Sequence, residues 1–227
     1  MKRSEINRYL LEAASFFDAM HFRLPPFAFY SIDEWKRHAS EAREVFDLSL
    51  GWDITDFGSG DFAATGLMLF TIRNGRLNDT RYPKPYAEKI MIVRERQVTP
   101  MHFHWKKMED IINRGGGELV ITMHTAAKDE SLSQEPITVS IDGIERTVRA
   151  GEAIRLHPGE SITLTPYLYH TFHAEGGMTM VGEVSMVNDD AADNRFHKPA
   201  GRFPAIDEDE RPRYLLCNDY QAFVLGT

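Results

Sequence analysis

Apolar and polar positions alternate on two different periods along this chain. Ser4 precedes Ile6, Tyr9, Leu10, Ala13, Phe16, Phe17 and Met20, a 3.6-residue spacing that predicts an amphipathic helix with Ser4 as its N-cap. Pro25-Pro26 closes that region. Ser31-Ile32-Asp33-Glu34 then reads as a capping box, predicting a second helix through about Val45 with Trp35, Ala39, Ala42 and Phe46 on its apolar face. After Gly51 the helical period stops. Short apolar runs follow at 66–72, 89–93, 97–104, 110–113, 118–124, 137–141, 145–148, 153–156, 161–164, 170–174 and 178–187. Asn74-Gly75 and Asp142-Gly143 read as hairpin turns, and Gly115-Gly116-Gly117 as a sharp reversal. Many short strands at this spacing predict an antiparallel sandwich or barrel, not a βαβ array. Beyond Val187 the chain is irregular and acidic, with Asp207-Glu208-Asp209-Glu210 its densest stretch.

At 227 residues a single domain is expected, with residues 1–50 as a helical extension, 51–190 as the barrel and 191–227 as a tail packed on it. Lys and Arg number 26 against 34 Asp and Glu, a net charge of -8 that repels phosphate backbones and argues against nucleic-acid binding. Cys217, alone, excludes an internal disulfide and a multi-cysteine zinc site, and suits a reducing cytoplasm. No stretch approaches the roughly 18 apolar residues of a bilayer span. After Met1-Lys2-Arg3, the charges of Glu5, Arg8, Glu12 and Asp18 interrupt any signal-peptide core. A cytoplasmic protein with no membrane partner is the expectation.

The chemistry concentrates in Thr99-Pro100-Met101-His102-Phe103-His104-Trp105-Lys106-Lys107-Met108-Glu109. On a strand His102 and His104 share one face, about 7 Å apart along the chain, and can converge on one metal ion. Glu109 has the opposite parity to His104, so a bend must separate them. A third imidazole, His170, opens a later strand after Gly159 and Pro166. An oxygen ligand beside imidazoles suits manganese, iron, nickel, cobalt or zinc. His21, His38, His124, His157, His173 and His197 read as packing or surface residues, His173 because its parity opposes that of His170.

These residues resemble the cupin superfamily. The first cupin motif is matched as His102-x-His104-x4-Glu109-x6-Gly116, the second more loosely as Gly159-x6-Pro166-x3-His170, with Tyr167-Leu168-Tyr169 where a glycine is usual. The resemblance implies a mainly-β jelly-roll barrel, N-terminal helices packed outside it, and a metal held by His102, His104, Glu109 and His170. More specific wording lies around the motif. It includes Tyr86-Ala87-Glu88-Lys89-Ile90-Met91, Lys107-Met108-Glu109-Asp110-Ile111-Ile112-Asn113-Arg114 and Gly182-Glu183-Val184-Ser185-Met186-Val187-Asn188-Asp189-Asp190. Over nearly its whole length the chain is similar to the D-lyxose isomerases, cupin-type aldose–ketose isomerases. That resemblance implies interconversion of D-lyxose with D-xylulose, and often of D-mannose with D-fructose, assisted by a divalent cation, commonly manganese.

Such a reaction needs an electrophile for the developing oxyanion and a group that shuttles the carbon-bound proton. Glu183, in the last apolar strand, is the first candidate base, the alternative being the solvent face of an edge strand. Lys107 shares Glu109's parity and Lys106 that of His104, so either ammonium can reach the cavity. Lys89 and Gln97 are candidates for sugar hydroxyls, as are Asp189, Asp190 and Asp193, which otherwise begin a solvated turn. Phe103, Trp105, Tyr167, Tyr169 and Phe172 divide between packing and a sugar-stacking wall. A homodimer acting on a small free sugar is expected. Competing readings are an iron dioxygenase, a non-catalytic sugar-binding cupin and a phosphosugar isomerase. The last lacks an evident phosphate cradle, Arg195, Arg202 and Arg211 being its only candidates.

Overall fold

The computed structural model describes residues 1–189 and 192–226. Helix α1 spans Arg3–Ala19, two residues earlier than a Ser4 cap allows. Lys2 caps it, donating its N–H to Glu5 at 3.0 Å, because Ser4 is used elsewhere: its hydroxyl donates to Asp209 at 2.7 Å. The capping box at Ser31 forms as expected, with Ser31 N–H donating to Glu34 at 2.8 Å and Glu34 N–H donating to Ser31 Oγ. The helix it opens is short. Helix α2 (Ile32–His38) ends in a turn, and α3 (Arg43–Asp47) resumes after it. The break lets both Trp35 and Phe46 reach the buried Tyr220 ring, at centroid distances of 5.0 and 4.9 Å.

Among the described residues eleven strands follow: β1 (Gly51–Thr55), β2 (Leu67–Arg73), β3 (Tyr86–Val93), β4 (His102–Phe103), β5 (Glu109–Thr125), β6 (Ile137–Ile141), β7 (Ile144–Val148), β8 (Ala153–Leu156), β9 (Ser161–Leu164), β10 (Leu168–Met186) and β11 (Arg195–Phe196). Every ladder is antiparallel, in the order β1-β2-β3-β10-β5-β9-β6-β7, with β4 joining β10 to β11 and β8 on β5. The fold is mainly β, as the cupin resemblance implies.

The glycine clusters act differently from the expectation. Gly115-Gly116-Gly117 reverses nothing: 110–113 and 118–124 belong to the single 17-residue strand β5. Likewise 170–174 and 178–187 lie almost wholly on the 19-residue β10, whose pairing with β5 shifts register between Glu175 and Thr179. Both strands bulge there together. Gly116 has φ +100°, and a Cβ on it would stand 2.2 Å from the Met178 carbonyl oxygen, so only glycine admits the approach. Asn74-Gly75 is not a hairpin turn either. A long loop joins β2 to β3, and Asn74 is buried, donating to the Asn188 carbonyl at 3.0 Å and accepting from Asn188 N–H at 3.0 Å. Asp142-Gly143 does close the β6–β7 hairpin, both residues having positive φ.

Strands β2 and β3 are buried on both faces, which is why they read as unbroken apolar runs. Leu67, Leu69 and Met91 face the barrel interior with Ile111, Ile121 and Phe172. Met68, Phe70, Ile90 and Ile92 face the other way, against Ile6, Leu10, Ala13 and Phe17 of α1. The C-terminal segment ties this layer down. Arg3, fully buried, grips Asp219 at 2.8 and 2.9 Å and Glu208 at 2.6 and 2.8 Å. No helix among the described residues is long and apolar enough to cross a membrane.

Candidate active site

A cavity of about 610 Å³, counting its open mouth, enters the barrel interior. Its inner wall is apolar (Leu67, Leu69, Met91, Ile111, Phe172), and its polar groups gather on one side. His102 projects from β4, His170 from β10 directly opposite it in register, and His104 from the start of the bend that ends β4. Their ligand nitrogens all lie within 4.8 Å of one another. The bend that parity requires between His104 and Glu109 is present in the backbone: 104–108 leaves the ladder and β5 begins at Glu109. Glu109 Oε1 then lies 3.3 Å from His104 Nε2 and 3.2 Å from His170 Nε2.

The imidazoles share one orientation. Nδ1 of His102 faces the Pro100 carbonyl at 2.9 Å, that of His104 the Asp193 carbonyl at 2.8 Å, and that of His170 the Leu168 carbonyl at 3.0 Å. A carbonyl only accepts, so each Nδ1 bears the proton and each Nε2 turns its lone pair to the common point. Burial first, then the neighbouring His170 and His104, holds the His102 pKa well below the ordinary imidazole value, favouring the neutral form a metal requires. For Glu109 burial works against the anion. The Lys107 charge beside it outweighs burial and holds this carboxyl well below the usual range. Three neutral nitrogens and one carboxylate form a donor set that fits a divalent first-row cation.

Beside this cluster runs a buried chain of charges. Lys107 Nζ lies 2.7 Å from Glu109 Oε2 and 2.9 Å from Glu183 Oε1. Lys89 Nζ lies 3.4 Å from the same Glu183 oxygen, to which Ser185 Oγ also donates at 3.1 Å. Both ammonium groups donate to Asn188 Oδ1, at 2.6 Å from Lys89 and 3.3 Å from Lys107. Glu183 is thus on the interior side of β10, not on a solvent face; Val184 and Met186 take the exposed side.

The D-lyxose isomerase family model matches residues 1–220. The chain belongs to that family. It is 52% identical to the D-lyxose/D-mannose isomerase of Serratia proteamaculans, over 99% of this chain and 100% of that one. It is 53% identical to the D-lyxose/D-mannose isomerase of Escherichia coli O157:H7, over 98% and 100%. Among solved structures, the L-ribose isomerase of Cellulomonas parahominis with L-ribose superposes with a TM-score of 0.61 at 19% identity, covering 91% of this chain and 98% of that one. The L-ribose isomerase of Geodermatophilus obscurus gives 0.59 at 17%, with the same coverage. These two share the barrel. Family membership makes the chain a sugar isomerase, an intramolecular oxidoreductase by reaction class.

The remaining site candidates separate. Of the two lysines, Lys107 lines the cavity, whereas Lys106 is exposed. Irregular backbone between them and His104 breaks the strand parity on which Lys106 was a candidate. Gln97 is fully buried but outside the cavity lining, its amide donating to the Phe62 carbonyl. Asp189 is exposed, closing a turn by accepting from Ala192 N–H at 3.1 Å. Asp190 lies outside the described residues. The Asp193 carboxylate faces backbone rather than sugar space, accepting from the N–H groups of Lys106 and Lys107 at 2.9 Å each. Of the five aromatic candidates Phe172 alone lines the cavity; Phe103, Trp105, Tyr167 and Tyr169 pack on one another, with Phe103–Tyr169 centroids 4.7 Å apart. Phe196 supplies the wall against His102, at 5.4 Å, and was not foreseen. Arg202 also lines the cavity, 2.5 Å from the buried Asp53 carboxylate, and Arg195 is held by Glu130 at 2.6 Å. Asn188 is the polar partner that sequence reasoning missed; its one signal is its place at the end of the strand that carries Glu183.

Proposed function

We propose that this chain interconverts D-lyxose with D-xylulose, and D-mannose with D-fructose, with manganese as the preferred divalent cation. The names borne by relatives at 52% and 53% identity support the substrates. The observation that carries the chemistry is Lys107 bridging two buried glutamates, one beside the imidazole cluster and one free of it. His102, His104, His170 and Glu109 would hold the cation, which supplies Lewis-acid polarisation of the sugar oxygens.

Glu183 takes the proton from C2 of the open-chain aldose and returns it to C1, passing through a cis-enediol. Lys107, whose ammonium touches Glu183, moves the hydroxyl proton from O2 to O1 and balances negative charge on oxygen while the proton is in transit. Lys89 and Asn188 fix the carboxylate and the ammonium in place. The apolar wall of Leu67, Leu69, Met91, Ile111 and Phe172 keeps bulk water from the reacting carbons. The reaction moves protons within one molecule and consumes no oxidant.

The test is ketose formation from a panel of free aldoses by the chelated protein, repeated after adding manganese and again without oxygen. D-lyxose and D-mannose should give ketose in the manganese arms, with or without oxygen. Failure of every aldose to react, or an oxygen requirement, overturns the proposal.

A further inference from the structure

Residues 104–108 leave the β ladder, so their N–H groups must find partners outside it. One side chain meets two of them. Lys106 N–H donates to Asp193 Oδ1 and Lys107 N–H to Asp193 Oδ2, each at 2.9 Å. The same residue's carbonyl accepts from His104 Nδ1 at 2.8 Å. His102 and His170 are each held by a carbonyl two residues earlier in their own segment. The His104 partner stands 89 residues away. Asp193 is itself fixed: it is 6% exposed, and its N–H donates to the Asp189 carbonyl at 2.9 Å.

We infer that Asp193 is a positioning residue that assembles the two halves of the site from behind. Its carboxylate pins the backbone from which Lys107 reaches Glu109 and Glu183, and in doing so holds its own carbonyl against His104. One clamp therefore sets both the aim of the third imidazole and the place of the ammonium. Both carboxylate oxygens are committed to backbone N–H groups, so contact with the sugar is not what this residue supplies. The metal arm of the inference stands on the geometry alone, and its turnover arm rests on the isomerase reading above.

The test compares Asp193→Ala and Asp193→Asn with the unaltered protein, first by manganese titration of the chelated proteins and then by kcat and KM at saturating manganese. Asp193→Ala should bind manganese about 10- to 100-fold more weakly, the usual cost of losing a group that orients a ligand. Its kcat should fall by at least about tenfold even when the metal is saturating, because the lysine is displaced, while KM stays within about threefold. Asp193→Asn keeps an acceptor for one of the two N–H groups and should fall between; should the alanine variant not fold, the asparagine variant decides. A raised KM with kcat and manganese affinity unchanged would make Asp193 a sugar ligand and overturn the inference. So would a loss of kcat with unchanged manganese affinity. If the unaltered protein binds manganese but makes no ketose, the isomerase reading fails while the affinity comparison still judges Asp193.

Discussion

Replacing Lys107 with methionine perturbs the site at its electrostatic centre. The ammonium is 3% exposed and stands 2.7 Å from Glu109 and 2.9 Å from Glu183, carboxylates whose side chains are 2% and 6% exposed. Removing one partner of a buried pair costs about 3–5 kcal/mol, because a charge is left in low dielectric without compensation. Glu183 keeps Lys89 at 3.4 Å and the Ser185 hydroxyl, so the lower end of that range, about 3 kcal/mol, is expected in chelated protein. A divalent cation bound beside Glu109 would supply the missing positive charge. The cost in manganese-loaded protein should therefore be smaller by at least about 1.4 kcal/mol, and by linkage the variant should bind manganese at least about tenfold more tightly. Turnover should nevertheless fall by about 100-fold or more, since the group proposed to move the hydroxyl proton is gone. Urea unfolding with chelator and with saturating manganese reads both stabilities. A loss below about 1 kcal/mol in the chelated protein, or an equal loss in both conditions, would refute the reasoning.

Glu183→Gln keeps the size and hydrogen-bonding capacity of the side chain but cannot accept the carbon proton. Turnover should drop at least ~100-fold with bound metal unchanged by elemental analysis, and undiminished turnover would remove Glu183 from the mechanism. His102 predicts a pH dependence in the chelated protein. Its native pKa is depressed by burial and by the neighbouring imidazoles, so below about pH 6.5 the unfolded chain takes up a proton that the native state refuses. Unfolding free energy should then fall as pH drops below about 6.5, and His102→Gln should flatten that slope in urea titrations at several pH values. Gly116→Ala should destabilise by about 2 kcal/mol or more in the same assay, because φ +100° and a carbonyl oxygen 2.2 Å from the new Cβ are both backbone constraints. A neutral Gly116→Ala would mean that the paired bulge relaxes freely.

Local geometry was legible in the sequence wherever a strict period applied. Alternation along 102–104 puts two imidazoles on one face, and the parity clash with Glu109 requires the bend found at 104–108. Alternation failed where the ladder is interrupted. Inside that bend Lys107 keeps the side of Glu109, but Lys106 does not keep that of His104, and Gln97 precedes β4 in irregular backbone. Glycine was ambiguous for a physical reason. A Gly triplet permits a reversal, yet it equally permits two long strands to bulge in step, and only the facing Gly176-Gly177 on β10 decides between them. Strand β1 escaped notice because it is short and mixed: Trp52 and Ile54 face α1, while Asp53 and Thr55 occupy the opposite face. Asn188 and Asp193 act through partners far away in the chain, Asp193 on His104 across 89 residues, and no local pattern encodes such a contact.

His102, His104, His170 and Glu109 would bind one ion together, and the proposed isomerisation needs that ion. Chelated protein, dialysed against manganese and freed of excess, should carry one ion per chain by elemental analysis and recover D-lyxose isomerisation in proportion to the ion bound, with His104→Ala losing both. Full isomerisation by protein carrying no divalent cation, or stoichiometric binding that survives His104→Ala undiminished, would contradict it.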